Sequence, residues 1–558
     1  MVKKFLNFFQ KEIGGLHEAA YLLGFFALLS QLLALVRDRL LASIFGASHS
    51  LDLYYAAFRI PDFIFVTVAS VVSISVLVPF LIEKMAVGKE EGKRFIDNVF
   101  SFFFLIIIAV SAIVYFLIPY LSPHVFSGFS DKDFPQLIHL TRMLLLSPIL
   151  LGLSNFFGSI TQVYKRFMIY SLSPLAYNFG IIIGAFFIYP YYGLNGLVLG
   201  VILGALMHFL IQIPFVFRQG LFPSVVWHID FPGIKRVMLL SVPRTFTLGV
   251  SQLAIIFLIG MASFMKDGSI SVFNFSFNLQ SVPLSIIGVS YSIAAFPTLA
   301  KLFTAGESKK FMSEILESAR HIIFWSLPIT ALFVVLRAQI VRTILGSGEF
   351  SWSNTRLTAA ALAIFAISVV AQSLILLFVR GYYAMGNTKK PLIISSISGV
   401  LIIFFSYLFV KIFSLCPPFQ YFIESLFKVS DIAGTSVLML PLGYTLATLL
   451  NCFVLWYMFN RQFPGFTRCL SRTFFQSFSA SVVMGFSAYV GLNIFDNFLN
   501  LNKVYGIFLQ GLGAGIFGIV IGVIVLKLLG NKEIDEIWQT LHRKIWKVKP
   551  LPADVTEI

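Results

Sequence analysis

Between Val36 and Asp62 the chain reads VRDRLLASIFGASHSLDLYYAAFRIPD, which places Arg37, Asp38, Arg39, Asp52, Arg59 and Asp62 within or beside two stretches apolar enough to lie in a bilayer. An ionised side chain at mid-bilayer costs roughly 2.5–3.5 kcal/mol on insertion scales, so a cluster of them there marks a functional site. The chemistry on offer is binding. A guanidinium keeps its charge at any biological pH and presents a planar fork that can bond two phosphate oxygens at once. Arginines with few acids around them favour a diphosphate-type anion over a cationic drug.

Spacing sorts these residues. Arg37, Leu40, Leu41 and Ile44 recur at helical period, so Arg37 can face inward while Arg39 lies about 200° round the helix, free to pair or to snorkel. Asp52 follows the Gly46-Ala47 turn, where it either caps the second helix or contributes to a ligand site. Arg59 directly precedes Ile60-Pro61, and a proline inside a helix removes a backbone hydrogen bond and permits a kink. Gly46, Pro61 and Pro283 are the expected hinge or kink positions. Arg244, next to Pro243, either anchors to headgroups or captures an anionic headgroup, and Asn278 completes the candidate set.

Catalysis finds little footing. The histidines His17, His49, His124, His139, His208, His228, His321 and His542 are scattered without metal-ligand spacing, and there is no Walker-type glycine loop. Cys416, Cys452 and Cys469 lack C-x-x-C spacing. The stretch from Ser414 to Ile432, read as irregular, offers only Glu424 and Asp431 as acids, too sparse for a glycosyltransferase site. No cofactor is expected, and whether the chain binds a metal stays open.

The elements that must position the charged cluster are membrane helices. The chain is 58% hydrophobic and 12% charged, with 63 Phe, which excludes a soluble domain of this length. Apolar runs of about 20 residues call for helices rather than barrel strands. Fourteen spans are predicted, at approximately 16–45, 52–83, 98–121, 136–162, 169–190, 193–217, 237–265, 270–303, 311–337, 355–386, 391–414, 434–460, 472–496 and 504–530. With the N-terminus cytoplasmic, 26 of the 41 Lys and Arg residues fall on the inside and 8 on the outside, so both termini are expected in the cytoplasm. That asymmetry accounts for the net charge of +16 without nucleic acid.

The chain also repeats itself. Leu140-Thr141 and Leu357-Thr358 are offset by 217, as are Pro174 and Pro391, while Pro79 and Pro297 differ by 218. Two homologous six-helix lobes, 16–217 and 237–460, are expected, preceded by a lead-in at 1–15 and followed by two added helices at 472–530 and a basic tail at 531–558. Transporters built from repeats hold substrate at the interface between halves.

The pattern L-x-x-V-R-D-R-L-L-A-x-x-F-G-A followed by D-x-x-x-x-A-F-R-I-P-D resembles the opening of the MurJ/MviN family of lipid II flippases. The similarity continues through Val78-Pro79 and through SVPLSIIGVSYSIAAFPTLA, Ser281 to Ala300. The resemblance implies the fold of the multidrug/oligosaccharidyl-lipid/polysaccharide exporter superfamily, with the last two helices forming a groove for a polyprenyl tail. It also implies a flippase that carries a lipid-linked peptidoglycan precursor from the inner to the outer leaflet of the bacterial cytoplasmic membrane by alternating access. Arg37, Asp38, Asp52 and Arg59 carry over. Family arginines are replaced by Gln31, Phe65 and Asn278, and the A-E-G motif by Ala69-Ser70-Val71. Arg39 and Arg244 are the candidates to restore the lost charge. An exporter of another lipid-linked oligosaccharide, an intramembrane glycosyltransferase and a scaffold for cell-wall enzymes remain as alternatives. Expected partners are the lipid-linked anionic oligosaccharide, membrane lipids and cell-wall synthesis enzymes. A sodium or proton coupling ion and the membrane potential are equally compatible with the sequence.

Overall fold

The computed structural model describes residues 16–69, 74–227, 229–501 and 503–536. The expected lead-in at 1–15, the Ser70-Val71 pair and the tail beyond residue 536, with Trp538 and Trp546, lie outside the described residues. Every regular element among the described residues is a helix. Twelve are long and apolar enough to cross a membrane. The first two predicted spans fall on the helix Leu16–Phe45 and on the pair His49–Val68 and Ile74–Val87. The expected all-helical polytopic architecture is therefore the observed one.

Two boundaries differ from expectation for a physical reason. The helix Lys89–Val125 starts well before its apolar run, because Glu90 and Glu91 occupy its first turn, where the helix dipole favours acids, and Lys93 pairs with Asp97 one turn on. The stretch read as irregular between Ser414 and Ile432 contains the helix Pro417–Phe427. Prolines in its first turn give up no intrahelical bond, and Glu424, buried on this helix, accepts hydrogen bonds from Gln420 at 2.9 Å and Thr435 at 2.6 Å.

The chain divides into two compact units, one comprising Met1–Leu279, Ile344–Ala361 and Asn387–Asn451, the other Gln280–Thr343, Leu362–Gly386 and Cys452–Ile558. In the first, the helices Phe167–Ile183 and Leu194–Leu210 meet through glycines. A Cβ added to Gly180 would stand 2.2 Å from the Gly204 Cα, and one added to Gly184 would stand 2.4 Å from the Gly200 Cα. Close backbone approach gathers dispersion contacts where lipid offers no hydrophobic driving force. A second core of this unit packs Phe103, Ile107, Phe156, Phe157 and Ile160 around Leu77 and Leu81.

In the second unit the helices Ser308–Val335, Phe466–Asp496 and Val504–Leu528 pack together. The chain after them turns back. Thr473 donates to Glu533 at 3.0 Å and Asn531 donates to Gln476 at 3.2 Å, so 532–536 is a helical stub fastened to the helix Phe466–Asp496. Pro283, an expected kink position, ends its α-helical stretch, and the chain continues as a π-helical turn, Leu284–Val289. Wide turns of this kind often accompany function. Pro61, by contrast, lies inside a helix that runs on to Val68.

Candidate functional site

Arg37 and Asp38 sit on the helix Leu16–Phe45, and they bind each other. Arg37 directs Nε and Nη2 at Asp38 Oδ1, at 2.9 and 2.7 Å. Its remaining nitrogen, Nη1, donates to Asn178 Oδ1 at 3.0 Å from the helix Phe167–Ile183. Asn178 is held in turn by donating to the Pro174 carbonyl at 3.1 Å. The other Asp38 oxygen accepts from Asn278 Nδ2 at 3.0 Å. Asp38 is 3% exposed while the Arg37 side chain is 20% exposed, so the carboxylate is buried and the guanidinium partly so. Buried ion pairs survive desolvation only when their spare lone pairs and protons are satisfied, and the two asparagines do that here.

The next helix, His49–Val68, presents Asp52, Tyr55, Arg59 and Asp62 at intervals of three and four residues, hence on one face. Arg59 donates through Nη2 to Asn274 Oδ1 and lies within electrostatic range of Asp62. The helix Ser269–Pro283 answers with a matching face of its own. Ser271, Asn274 and Asn278 follow helical spacing and meet Asp52, Arg59 and Asp38 respectively.

Asp52 does not cap its own helix. The N-cap of His49–Val68 is Ser48, which makes no side-chain cap bond. Asp52 instead accepts from the Gly268 N–H at 2.7 Å, the Ser271 N–H at 2.7 Å and the Ser271 hydroxyl at 2.6 Å, which makes it the cap of the helix Ser269–Pro283. The free N–H groups of that helix start are buried beside a carboxylate 4% exposed, so the carboxylate both bonds them and meets the positive end of the dipole.

The structure thus brings together Arg37, Asp38, Asp52, Arg59 and Asn278. Arg39 turns elsewhere and donates to the Ile344 carbonyl at 3.2 Å. Arg244 lies on the helix Phe231–Ala262, and its side chain is outside the described residues. Gly46 has φ +63, and an added Cβ would stand 2.6 Å from the Glu349 carbonyl oxygen, so glycine is required by both conformation and contact. Sequence reasoning missed Asn178, Asn274, Ser271 and Tyr55. The available signal was an amide in an otherwise apolar span, since Asn178 is the one such group in FMIYSLSPLAYNFGIII.

At the end of the bundle where these helices begin, His49 bridges two acids, with Nε2 2.9 Å from Asp133 and Nδ1 3.0 Å from Asp267. Burial pulls the imidazole pKa down, but the two carboxylate hydrogen bonds outweigh it and the pKa is raised above 6.5. Burial pushes the Asp133 carboxyl up, yet its bonds from His49 and Ser130 hold it below 3.8. Among the described residues no group of three or more His, Cys, Asp or Glu is arranged to hold a metal ion.

A set of guanidinium, carboxylate and amide groups on membrane helices can bind and release an anion. The profile of the lipid II flippase MurJ family matches residues 41–417, more than half of the 558. The chain belongs to the MurJ family. It is 27% identical over 387 residues to a lipid II flippase MurJ of Burkholderia cenocepacia, covering 68% of this chain and 75% of that protein. It is 29% identical over 395 residues to a probable lipid II flippase MurJ of Haemophilus influenzae, covering 67% and 77%. A solved structure of a lipid II flippase MurJ in an inward closed conformation superposes with a TM-score of 0.72 at 22% identity, covering 93% of this chain and all of that one. An inward-facing multidrug transporter of the MATE family, within the MOP superfamily, superposes at 0.63 with 13% identity over 79% of this chain. MurJ membership makes this chain a multi-pass inner-membrane transporter of the lipid II flippase type rather than an enzyme.

Proposed function

We propose that this chain carries the diphosphate of a polyprenyl-linked peptidoglycan precursor on Arg37 and Arg59 and moves it from the inner to the outer leaflet by alternating access. The observation that carries the reading is that the helix Ser269–Pro283 receives both arginines' neighbourhoods from successive helices, Arg59 directly through Asn274 and Arg37 through its ion-pair partner Asp38, which Asn278 bonds. Family membership supports the lipid-linked substrate. The direction of transport is taken from the lipid II flippase family, and the charge asymmetry supports cytoplasmic termini, which orient the chain for it. On this reading the polyprenyl tail stays in lipid beside the helices Phe466–Asp496 and Val504–Leu528, and the energy comes from the membrane potential, worth about 2.3 kcal/mol per charge per 100 mV, or from a sodium or proton coupling ion.

A second reading is favoured by one observation. Gln31, Phe65 and Asn278 are uncharged at positions where the family resemblance implies arginine, and Asn278 donates to Asp38, so on that comparison the cationic complement is reduced. An exporter of a different polyprenyl-diphosphate oligosaccharide would need less positive charge in its headgroup site. Complementation of a bacterium depleted of its lipid II flippase separates the two. Rescue by the wild-type chain, lost with Arg37→Ala and with Arg59→Ala at unchanged membrane levels, supports the first. Well-expressed wild type that fails to rescue turns the assignment to the second, and rescue that survives both substitutions removes the arginine site.

A further inference from the structure

Two hydrogen-bond donors in the charged cluster are buried with nothing to bond. The Tyr55 hydroxyl has no partner among the described residues, on a side chain 9% exposed. Arg59 Nε has none either, although Nη2 of the same guanidinium reaches Asn274. The two residues stand one helical turn apart on the same face of the helix His49–Val68, so their side chains are neighbours. Tyr55 also lies within electrostatic range of Arg37, Asp38 and Asp52. Its ring is fixed by an edge contact with Phe275, at 6.0 Å between centroids, and by Tyr54 at 5.6 Å.

An unpaired buried donor is a standing cost, and a phenylalanine would fill the same ring contacts without it. The Asp38 and Asp52 carboxylates are satisfied within the cluster: Asp38 by Arg37 and Asn278, Asp52 by Gly268 and Ser271. Among the described residues the tyrosine O–H and the guanidinium Nε–H are the buried donors of this cluster left without a partner, and so open to a ligand. Two donors of this kind, one neutral and one charged, suit an oxyanion that offers more than one acceptor oxygen.

We infer that Tyr55 is a specificity-determining residue, donating its hydroxyl to one phosphate of the substrate diphosphate while Arg59 donates Nε–H beside it. The inference rests on the diphosphate reading above. It assigns the two-donor grip to the diphosphate and a weaker, single grip to a monophosphate, because a monophosphate bound at the arginine leaves the tyrosine unused. Tyr55→Phe deletes the donor and keeps the ring.

The test uses the full chain in lipid nanodiscs, with undecaprenyl diphosphate and undecaprenyl monophosphate as probes and Arg59→Ala as the reference variant. Wild type is expected to prefer the diphosphate. Tyr55→Phe is expected to weaken diphosphate binding about tenfold or more, the size of one hydrogen bond to a charged group, and to leave monophosphate binding within about twofold. Its melting temperature in the nanodiscs without either probe should equal or exceed that of wild type, since the deleted hydroxyl has no partner among the described residues. Unchanged diphosphate binding by Tyr55→Phe, with loss in Arg59→Ala, overturns the role of Tyr55 and leaves the arginine reading standing. Equal loss for both probes with a lowered melting temperature shows a structural role and overturns it as well. Well-folded wild type that binds neither probe overturns the inference together with the reading beneath it.

Discussion

Asp52→Ala gives the sharpest test of how the second helix is tied to the helix Ser269–Pro283. The carboxylate accepts three hydrogen bonds, two from backbone N–H groups and one from the Ser271 hydroxyl. The hydroxyl can turn to another acceptor, but the Gly268 and Ser271 N–H groups are left buried and unpaired. Each such orphan costs about 1–3 kcal/mol, and loss of the cap alone costs about 1 kcal/mol. Removing a buried carboxylate returns part of that by relieving its desolvation. The net expectation is a loss of about 3 kcal/mol for Asp52→Ala and about half of that for Asp52→Asn, whose amide oxygen still accepts one N–H. Equilibrium unfolding of the purified chain in mixed micelles, titrated with SDS and followed by tryptophan fluorescence, measures both. A loss within about 0.5 kcal/mol for Asp52→Ala refutes the capping argument, the range of an ordinary surface substitution. If that variant also loses lipid binding, Asp52 acts at the substrate rather than at the helix start.

His49 makes stability depend on pH in a defined window. Its pKa is raised above 6.5 in the folded chain, so the bridge to Asp133 and Asp267 contributes in full below that value and is lost as pH rises through the raised pKa. The Asp133 pKa is lowered below 3.8, so its share is present above that value and lost as pH falls through the lowered one. The difference in melting temperature between wild type and His49→Gln should therefore be larger below pH 6.5 than above the raised pKa; a difference that grows with pH across that window would contradict the bridge. Gly180→Val tests the glycine contact. Its Cβ would stand 2.2 Å from the Gly204 backbone, which cannot yield as a flexible side chain would, so a loss of about 2 kcal/mol or more is expected in the same unfolding assay, together with lower membrane levels.

The elements were legible because each span carries its own signal, and the arginine site only in part, because its partners come from far along the chain. Arg37 and Asp38 announce themselves as charges in an apolar helix, and their pairing needs only adjacency. Asn178 lies 141 residues from Arg37 and Asn278 lies 240 from Asp38, so only the packing of separate helices reveals that two amides complete the ion pair. An amide in an apolar span is the same kind of signal as a charge, though weaker, since an amide costs less to bury and alone can be satisfied by its own helix. Asn274 shows both behaviours at once, giving its N–H to the Ile270 carbonyl one turn back while its oxygen receives Arg59. Asp52 misleads for the converse reason. It stands in the first turn of a helix, where an acid is locally favoured, yet the start it caps is 219 residues away at Ser271. A local rule assigns an acid to the nearest free N–H groups. Tertiary packing assigns it to the most deeply buried ones, which have no water to turn to.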